Sequence, residues 1–470
     1  MKRDVRVALD YAFKKGFQIH PEVIEILGGM EIENVDKVLK DIMQEKLRDG
    51  DFHISGSDLV RYLGLEIDED IPTKHEILFD CTARLTMPVG VEGFSSLFKS
   101  RFKKLKSIME QRPESKNLRN ISNIQGTSEK DIYICGLVNE KTIKDNTFKL
   151  TLEDMTGTIE GFVAEPARET LKGLFLDQFV MVKVDRRGDD IRFIEIIQPD
   201  IPLHTSNHAD NEVYAVLLSD LHIGSKYFME REFREFLDWL ASPDSYALKV
   251  RFVLVAGDII DGVGVFPNQD KELVEKTTHK QLEKASELFS LIPDYIKVFI
   301  SPGNHDPGRR ALPQPAIPRD SAPNLWNKKN IFMLGNPALL SINSVKILMF
   351  HGQSIDDIVK GVTGMEYSHP ADVMKGILRV RHLSPIFGSQ TPIAPENEDL
   401  LVIEDIPDVF HAGHVHVTEL DVYKGIKVIN SGAWQRQTPF QLSVGQIPTP
   451  GIAVLFNLKT HQILLRNFLE

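Results

Sequence analysis

Phe410-His411-Ala412-Gly413-His414-Val415-His416 is the stretch on which the fold turns. It closes a series of short polar motifs: Asp220-Leu221-His222, Gly257-Asp258, Gly303-Asn304-His305-Asp306, His351-Gly352 and Gly413-His414-Val415-His416. Each ends or follows a short apolar, β-rich run, which places it at the carboxyl end of a strand. Together they supply Asp, Asn and His, the donors that suit Mn, Fe or Zn in open catalytic sites. Singly, an Asp-x-His or Gly-Asp pair is ordinary turn chemistry. Five such pieces, in one order and all at strand ends, are what a two-metal phosphoesterase needs.

The motifs also set expectations for single residues. Gly257 lets the chain turn sharply after Val253-Leu254-Val255-Ala256 and sets Asp258 at the strand end. Asp261, three residues on, is placed to orient a ligand from behind. Asn304 offers a neutral carbonyl oxygen to a metal. His305 cannot easily point at the same ion as its neighbour, which leaves it for the substrate, and Asp306 is expected to fix its tautomer. His414 and His416 alternate, so an extended backbone would send both rings to one side.

Bulk properties bound the rest. A chain of 470 residues exceeds one typical core, so two or three domains are expected. Hydrophobic content of 42% and charged content of 26% fit a soluble globular protein. Cys81 and Cys135 lack the spacing of a disulfide framework or zinc knuckle, which fits a reducing cytosol. There is no apolar run of about 18 residues, so no membrane span is expected. Met1-Lys2-Arg3-Asp4 leads into an amphipathic pattern and not a signal-peptide core. A net charge of −12 argues against coating the whole surface with nucleic acid, while leaving room for a local groove or for metals.

Along the chain, residues 1–66 read as a small helical bundle suited to protein docking. Val5, Ala8, Leu9, Ala12 and Phe13 recur at helical spacing; Val23, Ile24 and Leu27 follow, with Gly28-Gly29 as a stop. Val35, Val38, Leu39 and Ile42 form another helix, and Ser57-Asp58-Leu59-Val60 opens a short one. Residues 67–129 read as a linker, to about 93, and an amphipathic helix. Its apolar face is Phe94, Leu97, Phe98, Phe102, Leu105, Ile108 and Met109, and its basic face Lys99, Arg101, Lys103, Lys104 and Lys106. Residues 130–200 carry five strand patterns with a short helix, Pro166 to Leu174, after the third, which resembles an OB fold. Phe148, Phe162 and Phe193 are its candidate base-stacking aromatics, and a protein contact is at least as good a reading of the barrel. A polar linker, 201–212, precedes alternating strands and helices from 213 to 470, including a helix from Lys271 to Leu291.

The strand-end motifs resemble the calcineurin-like metallophosphoesterases. That resemblance implies a layered αββα domain, so the fold class is multidomain α/β plus all-β: helical bundle, OB-fold barrel, metallophosphoesterase domain. It implies one metal on Asp220, His222, Asp258 and His416, and a second on Asp258, Asn304, His351 and His414. His305 would protonate or stabilise the leaving oxygen. The metals would be two divalent ions, Mn²⁺ first, with Fe or Zn also suited.

Further stretches narrow the family. Arg310-Ala311-Leu312-Pro313-Gln314-Pro315-Ala316, Thr391-Pro392-Ile393-Ala394-Pro395-Glu396, Asn430-Ser431-Gly432-Ala433-Trp434-Gln435, Gln437-Thr438-Pro439-Phe440-Gln441 and Pro448-Thr449-Pro450-Gly451 resemble the small subunit of archaeal D-family DNA polymerases. The likeness covers about residues 94 to 470. It implies a proofreading 3′→5′ exonuclease paired with a large polymerising subunit, acting on a single-stranded DNA 3′ end in the cytoplasm, at the nucleoid. Arg309 and Arg310 could hold a neighbouring phosphate or form a surface loop. A catalytically silent scaffold and a small-molecule phosphodiesterase are the competing readings; the complete ligand set counts against the first and the barrel against the second.

Overall fold

The structure is a computed structural model that describes residues 3–19, 23–24, 27, 35–49, 52–54, 58–59, 62, 73–86, 88, 90–124, 131–144, 147–187, 190–443 and 445–469. The expected Gly28-Gly29 stop, Ser57 and Val60 of the short helix, and residues 67–72 of the expected linker lie outside them.

Two six-stranded mixed sheets dominate. The first runs in the order Ile331–Met333, Lys297–Ser301, Val250–Ala256, Tyr214–Leu218, Ile452–Asn457, Ile463–Asn467. The second runs Thr418–Tyr423, Ile426–Ser431, Val409–Ala412, Val345–Met349, Ala338–Ile342, His75–Asp80. Strand alternation sorts the side chains into layers. Ala215, Leu217, Phe252, Leu254 and Phe299 meet Leu340, Ile342, Ile347, Val409 and Ile429 between the sheets. Val216, Leu218, Val253, Val255, Val298 and Ile300 face the other way, onto helices Glu230–Leu240 and Thr278–Phe289. Leu348, Phe410, Ala412 and Val428 likewise pack on helices Ile355–Gly361 and Pro370–Val380. The central strands are therefore covered on both faces. That is why they read as mainly apolar runs without alternation, Val250–Ala256 being buried throughout, Arg251 included.

Five strands, Ile132–Lys144, Thr147–Asp154, Gly157–Val163, Asp190–Ile197 and Phe179–Arg187, pair in that order, and the last closes on the first. They form a closed barrel around Ile134, Leu150, Val182 and Phe193. Asp154 ties the turn before Gly157: its carboxylate accepts from the backbone N–H of Thr156, Gly157 and Ile121. At the N-terminus, helices Arg3–Lys14 and Val35–Asp49 pack on each other around Ala8, Ala12 and Leu39. No described helix is long and apolar enough to cross a membrane.

Several expectations need correction. His75–Asp80, inside the expected linker, is the edge strand of the second sheet, antiparallel to Ala338–Ile342. Its burial does not alternate, so it showed no period-two pattern. Asp80 accepts from Gly335 N–H and Thr82 Oγ from Ala316 N–H, which stitches the segment in place. The polar stretch 201–212 is pinned too, with His204 and Asn207 bonded to the buried carboxylate of Asp408. The expected helix 271–291 begins at Thr278, because the Thr277 hydroxyl caps it by accepting from Lys280 N–H. Phe13 is exposed, and Phe17 takes the core position. Phe193 is fully buried in the barrel and presents no ring to a base. Arg101 leaves the basic face altogether: it is buried and paired with Asp399.

Candidate metal centre

The carboxyl ends of Tyr214–Leu218, Val250–Ala256 and Lys297–Ser301 in the first sheet, and of Val345–Met349 and Val409–Ala412 in the second, each lead into one of the polar motifs. The chain leaves these strands in an unusual way. Asp220, His222, Asp258, His414 and His416 have φ of 52°, 51°, 52°, 72° and 59°. L-residues seldom occupy this left-handed region, and a cluster of them marks a site held in shape by its surroundings. His414 and His416 are thus not extended, and their rings part company because each backbone turns. Gly257, at φ 88°, has no room for a side chain: a methyl there would lie 2.5 Å from His351 Nδ1.

The side chains converge. Three sets bring ligand-type atoms together: Asp220, His222 and His416; Asp220, Asp258 and His351; and His222, Asp258 and His305. His222 Nε2 and His416 Nε2 are 3.1 Å apart, with Asp220 Oδ1 3.4 Å from His416 Nε2. On the other side, His351 Nε2 lies 3.3 Å from Asp258 Oδ2, 3.0 Å from Asn304 Oδ1 and 3.3 Å from His414 Nδ1. Asp258 touches both halves, with its Oδ2 3.8 Å from His222 Nε2. His416 therefore belongs with Asp220 and His222, and His414 with His351 and Asn304.

Each ring is held from behind. His222 Nδ1 pairs with Asp261 Oδ1 at 3.0 Å, and His351 Nδ1 meets the Ala256 carbonyl at 2.9 Å. Asp261 is itself fixed by the amides of Gln269 and Gln435. A carboxylate behind an imidazole sets its tautomer and raises its basicity.

The charge balance fits a divalent cation. Asp220, Asp258 and Asp261 are buried, and among the described residues no Lys or Arg forms an ion pair with them. Asp220 Oδ1 is buried without any hydrogen-bond partner. Burial works against the charged form of Asp220, but the facing His222 and His416 rings outweigh it and hold its pKa well below the usual carboxylate range. Burial likewise opposes charge on Asp258, and His351 and His305 overcome it. Burial pulls His351 down while Asp258 pushes it up, to about 9. Burial also lowers His222, but Asp220 and Asp261 hold it well above its ordinary value; His416 is lowered by burial. Two ring nitrogens 3.1 Å apart share at most one proton. In the apo protein protons supply the positive charge here, and a metal would displace them.

The partner expected for His305 is wrong. Its Nδ1 meets the backbone carbonyl of Asp261 at 2.7 Å, not Asp306. The Asp306 carboxylate instead accepts from the N–H groups of Gly303, Ile259 and Ile260. Burial and the neighbouring Asp258 push Asp306 up to about 7. Asp306 clasps two loops and does not touch the His305 ring. Arg309 is also taken, by Glu396 at 2.6 Å and the Pro313 carbonyl. Two contacts escaped the sequence reading. Gln441 meets His416 Nδ1 at 2.9 Å, and Asp356 Oδ2 lies 3.2 Å from His414 Nε2. Gln441 stands in a stretch that carries the family likeness, so a signal existed; Asp356 lies on a plain helix and gave none.

A family model for the B subunits of DNA polymerases alpha and epsilon matches residues 215–419. The DNA polymerase II small subunit of Archaeoglobus fulgidus is 37% identical over 401 residues, covering 84% of this chain and 81% of that one. The chain belongs to the family of DNA polymerase II small subunits. The member from Methanothermobacter thermautotrophicus is 37% identical, with 83% and 82% covered. For the member from Pyrococcus furiosus the figures are 38% identity, 80% of this chain and 63% of that one, so family members differ in length. Among solved structures the chain is similar to Vacuolar Protein Sorting 29 from Cryptosporidium parvum, at 14% identity and a TM-score of 0.27, covering 55% of this chain and 97% of that one.

Proposed function

We propose that the chain is the 3′→5′ exonuclease subunit of a two-subunit archaeal replicative DNA polymerase. It would pair with a large polymerising subunit and trim a single-stranded 3′ end. One observation carries the reading: Asp220, His222, Asp258, His351 and His416 converge in a buried cluster of carboxylates and imidazoles, all but His351 on strained backbone, with one carboxylate oxygen unpartnered. Asp220, His222, Asp258 and His416 would hold one divalent ion, and Asp258, Asn304, His351 and His414 a second. Mn²⁺ is our first choice; Fe and Zn suit the same donors. Bound there, the ions supply positive charge that polarises a phosphodiester.

The chain's own residues complete the reaction. The Asp261 carbonyl takes the Nδ1–H of His305, which leaves Nε2 for the substrate. Burial lowers the proton affinity of this ring in the free protein; an adjacent anionic phosphate raises it, so that Nε2 takes up a proton from solvent when substrate binds. A water oxygen then bonds to phosphorus, the P–O3′ bond breaks with its electron pair on O3′, and the Nε2 proton moves to that oxygen. The water proton is released, so a nucleotide and a shortened strand result.

In the same reading the calcineurin-like domain is 213–470 and the barrel, 130–200, is an OB fold, supported by its closed five-strand order. The bundle, 1–66, is a docking module joined through 67–129. The complex would act in the cytoplasm, at the nucleoid. The test uses the full chain, Mn²⁺ and a 3′-labelled single strand. Mononucleotides should be released, and His305→Ala should slow release by about 10²–10⁴-fold with unchanged thermal unfolding. Metal binding without cleavage, alone or with the large subunit, would establish a silent scaffold instead.

A further inference from the structure

Beyond the cluster, the His305 ring has a second neighbour that no step above uses. On one side His222 lies edge-on, with ring centroids 4.7 Å apart. The Phe266 ring lies 6.4 Å from His305, tilted by 59°. Phe266 is half-buried and packs into none of the hydrophobic cores among the described residues. The loop that carries it does not need the ring for support. Gln269 donates to the carbonyl and carboxylate of Asp261 and accepts from Val265 N–H. Gln281 accepts from Gly262 N–H and donates to its carbonyl. Neighbouring Val263 is 45% exposed, and a methyl on Gly264 would meet nothing within 4 Å, so the loop's surface is open. An aromatic ring on a clamped, open loop beside the candidate acid calls for a flat apolar ligand.

The chemistry says which one. A proton donor must sit about 2.6–3.2 Å from the oxygen it protonates. That oxygen is O3′ of the penultimate nucleotide, the one that stays on the shortened strand. With O3′ at His305, the base of that nucleotide must lie within a few ångströms of the ring, and Phe266 is the half-buried aromatic on the open loop beside it. We propose that Phe266 is the stacking platform for the penultimate base and sets the leaving strand against His305. This rests on the exonuclease reading above.

The experiment separates the two. Full chain with Mn²⁺ is given two single strands, one intact and one abasic only at the penultimate position. Stacking on an aromatic side chain is worth about 1–3 kcal/mol per base, so the intact strand should be cut about tenfold more efficiently in kcat/KM. Phe266→Leu should remove that preference, while Phe266→Trp should keep it. A strand abasic at the terminal position should respond to Phe266→Leu as the intact strand does. Equal loss on every strand would reduce Phe266 to packing and overturn the proposal. If the wild-type chain cuts nothing, the exonuclease reading fails first. Fluorescence anisotropy in EDTA then decides the platform: tighter binding of the intact strand, lost in Phe266→Leu, supports it, and equal or absent binding sinks it.

Discussion

Two clusters of buried ionisable side chains sit in this molecule, and they are built on opposite terms. In the first, Arg101 and Asp399 are 1% and 0% exposed and 2.8 Å apart, with His382 Nε2 3.0 Å from the same carboxylate oxygen. Ser384 N–H donates to His382 Nδ1, Leu401 N–H to Asp399, and Arg101 also reaches the Pro385 carbonyl. One cation meets one anion and a neutral ring joins them; the charge closes within the protein. The centre at Asp220, Asp258 and Asp261 has carboxylates and imidazoles but, among the described residues, no Lys or Arg pair. Burial costs both clusters desolvation; the first offsets it with a permanent guanidinium charge, the second with protons on its imidazoles, which a metal would displace. The difference separates a charge buried for structure from one buried to be completed by something else.

That contrast breaks most sharply under Asp258→Asn. If the proposed exonuclease reading holds, the substitution should lower turnover by about 10³-fold or more, because Asp258 would face both metal positions. The apo protein should lose about 1–3 kcal/mol, because the Asp258 charge that faces the His351 ring is removed while no Lys or Arg is stranded. Wild-type protein at a Mn²⁺ concentration of about 100 times Kd should gain about 2.7 kcal/mol against unfolding, and Asp258→Asn should gain almost none. Differential scanning calorimetry with and without Mn²⁺ reads both. A large apo destabilisation would mean that the centre is a structural cluster after all.

Arg101→Met should do the reverse. Removing one partner of a closed buried pair leaves Asp399 uncompensated and costs about 3–5 kcal/mol. Urea unfolding should show it, while turnover per folded molecule and the Mn²⁺ stabilisation stay as in wild type. An unchanged urea midpoint would show that the pair contributes nothing net.

The centre was more legible than its surroundings, for a physical reason. Strand ends are fixed by apolar runs, and the runs before Asp220, Asp258, Asn304 and His351 are short but mostly buried on both faces. What lies behind the ligands is set by tertiary contact. Nothing local tells that the Asp261 carbonyl and not Asp306 meets His305, or that Asp356 reaches His414. His411 is the instructive case. It stands three residues from His414 in the same motif, but it lies on the strand Val409–Ala412, buried against Ser431, where burial pushes it down to about 3. Strand or turn, and not residue type, separates the two. Arg101 escaped in the same way, because one helical turn of basic residues reads as a surface until Asp399 arrives from about three hundred positions away.

Smaller effects probe the supports. Asp261 is not itself an expected ligand but holds the His222 ring, so Asp261→Asn should weaken Mn²⁺ binding by about 10–100-fold without abolishing it. Isothermal titration calorimetry would measure this, and an unchanged affinity would remove Asp261 from the centre.

The gentlest test is acid. Burial opposes charge on Asp399, but His382 and Arg101 hold its pKa below the unfolded carboxylate value of about 3.9. A carboxylate depressed in the folded state stabilises fully above its unfolded pKa, and that stabilisation is lost as pH falls through the folded value. Between about pH 7 and 5 the pair should therefore contribute no slope of its own. Below about pH 4 the gap in unfolding free energy between wild type and the Arg101→Met, Asp399→Leu double variant should narrow in favour of the variant, since it has no carboxylate left to protonate. A gap that stays constant down to about pH 3 would mean that the Asp399 proton affinity is unaltered by folding, and the closed cluster would lose its electrostatic meaning.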